Sequence, residues 1–165
     1  MNGSIILTNE QIQNKTRRIA YQIYENNYNE NEIIIAGING NGYIFAQKIT
    51  TILKTISKLK VTLCEVKIDK RNPLNKITTT LEPDSYKNKS LILVDDVLNS
   101  GTTLMYGVKY FLEVPLKRFN TAVLVNRNHK KYPVKADFKG LSLSTSMREH
   151  VSVVFEDKNS YAFLE

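Results

Sequence analysis

The segment Leu91-Ile-Leu-Val-Asp-Asp-Val-Leu-Asn-Ser-Gly-Thr-Thr103 constrains the fold more than any other part of this chain. Leu91-Ile-Leu-Val94 is apolar at every position, as a central parallel strand buried on both faces must be. Two adjacent carboxylates, Asp95 and Asp96, follow it, then Val97-Leu98, the small polar turn Asn99-Ser-Gly-Thr-Thr103, and a helical stretch over 102–112. In an open α/β sheet, ligands bind outside the carboxyl ends of such strands. There Asp95 and Asp96 can accept hydrogen bonds from ribose hydroxyls or align magnesium-bound waters. The backbone N–H groups of Asn99, Ser100, Gly101, Thr102 and Thr103 open a helix whose positive end favours a phosphate dianion. Gly101 permits close backbone approach, and the Ser100, Thr102 and Thr103 hydroxyls add donors. A plain capped turn would explain some of these residues. Strand, carboxylate pair and polar turn in this order make a ribose 5-phosphate site.

The rest of the chain supplies the sheet that this strand requires. Thr8 caps a helix over 9–27, with Gln11 returning the capping-box bond and Ile12, Ile19, Ala20 and Ile23 at helical spacing. Ile33-Ile-Ile-Ala-Gly37 is a second buried strand, and Phe45, Ile49, Ile52, Leu53 and Ile56 mark a second amphipathic helix. Residues 61–68, 90–94 and 121–125 also read as strands. Strands separated by helices predict an α/β domain, a mainly parallel sheet flanked by helices. Residues 69–89 are polar, carry Pro73 and Pro83 and lack periodicity, which predicts a long loop of the kind that serves as a lid. Residues 126–165 mix strand-like pieces at 151–155 and 161–164 with turns, which predicts a small C-terminal cap over the sheet edge. No repeat or linker divides the chain, so residues 1–165 are expected to form one domain.

Composition removes several classes. Cys64 is the lone cysteine, so neither an intramolecular disulfide nor a cysteine-rich zinc site can form. No run approaches the roughly 18 apolar residues of a membrane span, and Met1-Asn-Gly-Ser4 lacks the character of a secretory signal. A cytoplasmic location is the expectation. Lysine plus arginine exceed aspartate plus glutamate by 23 to 16, a net charge of +7. That balance suits phosphates or nucleic acid, and equally a lysine-rich surface turned to water.

The segment 91–104 resembles the ribose-phosphate signature of the type I phosphoribosyltransferases. The likeness extends over nearly the whole chain to the bacterial pyrimidine operon attenuators that double as uracil phosphoribosyltransferases. It is carried also by Arg18-Ile-Ala20, Ala36-Gly-Ile-Asn-Gly-Asn-Gly42, Ala122-Val-Leu-Val-Asn-Arg-Asn-His129, Pro133-Val-Lys-Ala-Asp-Phe-Lys-Gly140 and Ser144-Thr-Ser146. The resemblance implies the type I fold with a C-terminal hood, phosphoribosyl pyrophosphate as donor, magnesium, a nucleobase or nucleoside monophosphate as the other ligand, and a homodimer. It implies that Asp95 and Asp96 hold the ribose hydroxyls, that Asn99 to Thr103 hold the 5-phosphate, and that Asn39, Gly40, Asn41 and Gly42 form the pyrophosphate loop. Arg71 resembles the flexible-loop arginine that closes over the diphosphate, and Arg127 a residue near the diphosphate end or a dimer contact. The base is expected under the hood, against backbone near 138–141 and residues 146–152.

The chain also departs from that pattern. The pyrophosphate loop has Gly40-Asn41-Gly42 where the family usually carries Thr-Arg-Gly, which removes a cationic contact and implies weaker donor binding. Asn126 stands where attenuators usually have aspartate, and Thr102 where they have arginine. On their RNA-binding face, Tyr21, Gly40 and Lys135 replace a histidine, a threonine and an arginine. Only weak, sequence-indifferent RNA binding is therefore expected. Two readings remain: an enzyme transferring ribose 5-phosphate to uracil or another base, favoured by the intact Asp95-Asp96 and phosphate turn, and a nucleotide-sensing regulator that keeps the pocket, favoured by Asn41.

Overall fold

The computed structural model describes residues 3–144, 146 and 149–165. Met1, Asn2, Thr145, Met147 and Arg148, which fall in segments discussed above, lie outside the described residues. A short strand, β1 (Ser4–Leu7), precedes the first helix, α1 (Asn9–Asn27). The capping box forms as predicted: Gln11 N donates to Thr8 Oγ1 at 3.4 Å, and Thr8 N donates to Gln11 Oε1 at 2.9 Å. Then follow β2 (Glu32–Ile38), α2 (Asn41–Ile56), β3 (Lys60–Lys67), β4 (Thr78–Thr79), α3 (Pro83–Tyr86), β5 (Ser90–Leu98) and α4 (Thr102–Phe111). The chain ends with β6 (Arg118–Arg127), β7 (Phe138–Leu143), β8 (Val151–Val154) and β9 (Tyr161–Leu164).

The main sheet has the order β4-β3-β2-β5-β6-β7. All its neighbours pair in parallel except β3 with β4. The chain moves outward from β2 to β3, then returns to the other side of β2 to lay down β5 and move outward again through β6. The strand order therefore reverses between β2 and β5, and the loops leaving their carboxyl ends diverge and open a crevice there. Residues 39–42 leave β2 at that point, and residues 99–103 leave β5.

Alternation along the central strands feeds two cores. Ile33, Ile35, Ile92 and Val94 pack with Ile19 and Ile23 of α1 and Phe45 and Ile49 of α2 on one face. Ile34, Ala36, Leu91 and Leu93 pack with Leu104 and Phe111 of α4 on the other. The predicted cap is a separate antiparallel sheet, β1-β9-β8, whose Val151, Val153 and Ala162 join the first core. It forms the hood, and its third strand comes from the N-terminal end, where four residues are too few for periodicity to reveal.

Residues 69–89 are not one long loop. Thr78–Thr79 pair antiparallel with Val66 and Lys67, and α3 buries Tyr86 edge-on against Phe111 with ring centroids 5.1 Å apart. Burying an aromatic side chain stabilises by about 1.5–3 kcal/mol relative to leaving it exposed, enough to pin this stretch to the domain. The unpatterned part shrinks to residues 69–77. β5 is also longer than the predicted 90–94, so the two carboxylates belong to the strand and do not follow it.

Candidate active site

At the crevice, a cavity of about 260 Å³ is walled by Asp95, Asp96, all of residues 97–104, Lys70, and His150 to Ser152 of the hood. The carboxylate pair and the whole phosphate turn thus share one chamber under the cap. Asp95 is buried, and its Oδ1 accepts the Asp96 backbone N–H at 2.9 Å. Burial raises its carboxyl well above the ordinary range, the neighbouring Asp96 charge raises it further, and Lys70 opposes both. A cation or hydrogen-bond donor reaching this group would favour its charged form. Gly42 explains how α2 comes so close: a Cβ there would lie 2.7 Å from Asp95 Oδ1 and 3.1 Å from Asp95 Cα.

The turn after β5 leaves the N-terminus of α4 uncapped on the chamber wall. Gly101 is the N-cap of α4, in the left-handed conformation with φ 87°, and no side chain caps the helix there. A Cβ on Gly101 would approach Val134 Cγ1 to 2.8 Å, so both backbone conformation and packing favour glycine. Ser100 and Thr102 hydroxyls lie 2.9 Å apart, and the Ser100 carbonyl accepts N–H bonds from Lys131 (2.8 Å) and Tyr132 (3.0 Å), which hold the turn from behind. Arg127 is buried and donates to Asn99 Oδ1 at 3.2 Å and to the Ser146 carbonyl at 3.1 Å. It braces the first residue of the turn and the approach to the hood without entering the cavity wall.

The loop after β2 is arranged differently. Gly40 adopts φ 83° and ψ −134°, a region open to glycine alone. Asn39 accepts the Ile68 N–H at 3.1 Å, and Asn41 donates to the Val153 carbonyl of β8 at 2.8 Å. Neither side chain lines the chamber. Arg71 is exposed and off the wall as well, while its neighbour Lys70 is on it. Lys70 stands beside an arginine in the sequence, and a cation just past the end of β3 is the one signal it offers. The carbonyls of Lys139 and Gly140, in the segment expected to meet a base, accept Arg18 Nη2 at 2.9 and 2.7 Å. No group of three or more His, Cys, Asp or Glu side chains suited to hold a metal occurs among the described residues. No helix there is long and apolar enough to cross a membrane.

A parallel α/β sheet with a carboxylate pair and an open helix N-terminus at its switch point, roofed by a small second sheet, defines a phosphoribosyl-binding protein. Comparison gives the same answer. Residues 2–158 match the phosphoribosyl transferase domain. Similar proteins include the bifunctional protein PyrR of Streptococcus thermophilus, 35% identical over 140 residues with 83% of this chain and 81% of that protein covered. Another is PyrR of Macrococcus caseolyticus, 30% identical over 166 residues with 95% and 94% covered. The hypoxanthine phosphoribosyltransferase of Trypanosoma cruzi superposes with a TM-score of 0.76 at 14% identity, covering 96% of this chain and 95% of that one. A hypoxanthine-guanine phosphoribosyltransferase of Bacillus anthracis gives 0.73 at 21% identity, covering 90% and 86%. The chain belongs to the phosphoribosyl transferase domain family and is of its type I class.

Proposed function

We infer that this protein transfers ribose 5-phosphate from phosphoribosyl pyrophosphate to a nucleobase, with uracil the favoured acceptor, as one domain acting in the cytoplasm as a homodimer in pyrimidine salvage. The observation that carries the reading is the single chamber joining Asp95, Asp96 and the turn at 99–103 beneath Val151 and Ser152 of the hood. Uracil is favoured by the likeness of residues 122–129 and 133–140 to the attenuators.

In the reaction the bond from C1′ to the diphosphate oxygen breaks, its electron pair leaves with diphosphate, a ring nitrogen of the base bonds C1′, and the N–H proton passes to solvent. Positive charge develops on the ribose. Asp95 and Asp96 stand where they stabilise it, and the turn fixes the 5-phosphate so that C1′ is presented in one orientation. The hard oxygen donors of the carboxylate pair fit magnesium held mainly through substrate and water. Bound there, magnesium would neutralise charge on the departing diphosphate. The hood strand above the chamber would exclude water from the cationic ribose.

Release of pyrophosphate with magnesium, assayed with uracil, hypoxanthine, guanine, adenine and xanthine in turn, tests the reading. Turnover on uracil alone supports it; turnover on a purine moves the substrate. Absence of turnover with every base, alongside tight nucleotide binding, favours the second reading, a nucleotide-sensing regulator. The use of Asn41 to tether the hood is the observation on that side.

A further inference from the structure

The outer side of α4 is more apolar than a surface helix requires. Leu104, Gly107 and Phe111 turn inward and account for its buried side. Met105, Tyr106 and Leu112 lie off that side, and with Leu74, Val108 and Tyr132 they wall an open cavity of about 590 Å³. Leu74 and Leu112 are 76% and 63% exposed. Scattered apolar side chains at a surface are ordinary, whereas a contiguous set of them marks an interaction site. We propose that a second copy of the chain docks here, the two α4 helices packing across a two-fold axis. The proposal deepens the homodimer reading and is independent of which substrate the chamber takes.

The layering of the domain leaves this face uncovered. α1 and α2 pack on one side of the main sheet, and α4 with the short α3 on the other. The remaining apolar walls of the groove are the loop residues Leu74 and Tyr132, so among the described residues no further layer closes over α4. Two tyrosines and a methionine among aliphatic side chains match the buried centre of a protein interface, where aromatic residues and methionine are enriched. Tyr132 also braces the turn after β5, its N–H donating to the Ser100 carbonyl at 3.0 Å. A docked copy would therefore sit directly behind the chamber wall.

Charge selects a copy of the same chain as the occupant. With a net charge of +7, two copies repel each other over most of their surfaces. The two charges that line this groove, Lys109 and Glu113, cancel, and among the described residues neither closes an ion pair within 4.0 Å. They stand about one helical turn apart, at the end of α4 and just past it. A two-fold axis across α4 runs the two helices antiparallel and so reverses the order of this pair. Lys109 of one copy then comes beside the partner's Glu113, and the partner's Lys109 beside Glu113, as an isologous contact demands. Leu112, between them and largely exposed, enters the partner's groove. A partner of a single charge sign would satisfy one of the two groups and face repulsion from the other.

Sedimentation velocity of the full chain, over about a hundredfold range of concentration, measures the dimer constant. Leu112→Lys keeps a side chain that the end of a helix favours but places an ammonium in the groove, and it is expected to weaken the dimer about thirtyfold or more. Lys109→Glu and Glu113→Lys should each weaken it about tenfold by setting like charges against each other, and the double reversal should return it to within about threefold of wild type. Tyr28→Glu, at an exposed aromatic beyond the end of α1, should change nothing. A dimer that survives Leu112→Lys pairs through another face, which overturns this proposal and leaves the homodimer reading standing. Losses that add in the double reversal, with no recovery, overturn the pairing of Lys109 with the partner's Glu113. A wild-type chain that stays monomeric at every concentration overturns both the proposal and the homodimer, whereas failure of turnover would touch neither.

Discussion

The two loops that flank the switch point treat their side chains in opposite ways. After β5, residues 99–103 all face the chamber, and the turn is braced from outside by Arg127 and by the N–H groups of Lys131 and Tyr132. After β2, Asn39 and Asn41 turn away to hold β3 and the hood, and none of residues 39–42 lines the chamber. One loop is wrapped around the chamber beside an uncapped helix N-terminus. The other is a structural joint whose polar side chains are spent on β3 and the hood. The 5-phosphate end should therefore dominate affinity for nucleotides, while the diphosphate end should depend on magnesium and on side chains outside its own loop.

The largest effect that would sharpen this contrast is expected from the carboxylates between the loops. Changing Asp95 and Asp96 together to asparagine keeps shape but removes negative charge where the ribose becomes cationic. Losing one electrostatic contact of this kind costs about 3 kcal/mol of transition-state stabilisation, on the order of 100-fold or more in kcat. A double variant that turns over at the wild-type rate would show that the chamber is not the reaction site.

Next is Gly101→Ala. It forces a side chain into the left-handed region and toward Val134 Cγ1, the former costing about 1–2 kcal/mol and the latter adding overpacking strain. Affinity for the 5-phosphate of uridine monophosphate should fall at least tenfold, while pyrophosphate affinity changes far less. Equal losses for both ligands would mean that the two loops do not bind separate groups.

A pH effect follows from Asp95. Its folded carboxyl is raised above its unfolded value, so the folded state binds the proton more tightly and is penalised once that proton must leave. The penalty is absent below the unfolded value near 4 and grows as pH rises through the folded one. Asp95→Asn keeps an acceptor for the Asp96 N–H and removes the penalty. It should raise Tm at neutral pH and leave Tm unchanged near pH 3, even as it lowers activity. A Tm gain of the same size at pH 3 and pH 7 would assign it to packing instead of ionisation.

The chamber wall at 95–103 was legible in the sequence and the joint was not. Leu91 to Thr103 is contiguous, so strand, carboxylates, glycine and hydroxyls keep in space the order they have in the chain. The joint is made by bonds over long separations, Asn39 to Ile68 and Asn41 to Val153, and spacing along the chain carries no trace of them. The same reason hid β1, which pairs with β9 from the opposite end of the chain, and Lys70, which reaches the chamber because β3 neighbours β2. Residues 69–89 read as one loop because β4 is two residues long and α3 four, too short for any period, although Tyr86 fixes them to the core.

The smallest effect bears most directly on the contrast. Asn41 Nδ2 donates to the Val153 carbonyl across a partly buried gap, and the Asn41→Ala variant loses that bond and leaves the carbonyl short of a donor. A net intramolecular hydrogen bond contributes about 0.5–1.5 kcal/mol, and in a chain of this size that corresponds to a fall in Tm of roughly 2–5 °C. If the loop after β2 is a joint, this fall is the main result, and magnesium pyrophosphate binds Asn41→Ala within about twofold of wild type. Looser attachment of β8 should then show as faster hydrogen exchange at Val151 and Val153, because the hood would open without the rest of the domain. A variant with unchanged Tm and a tenfold loss of pyrophosphate would show that Asn41 binds ligand as the residues after β5 do, and the distinction between the two loops would be gone.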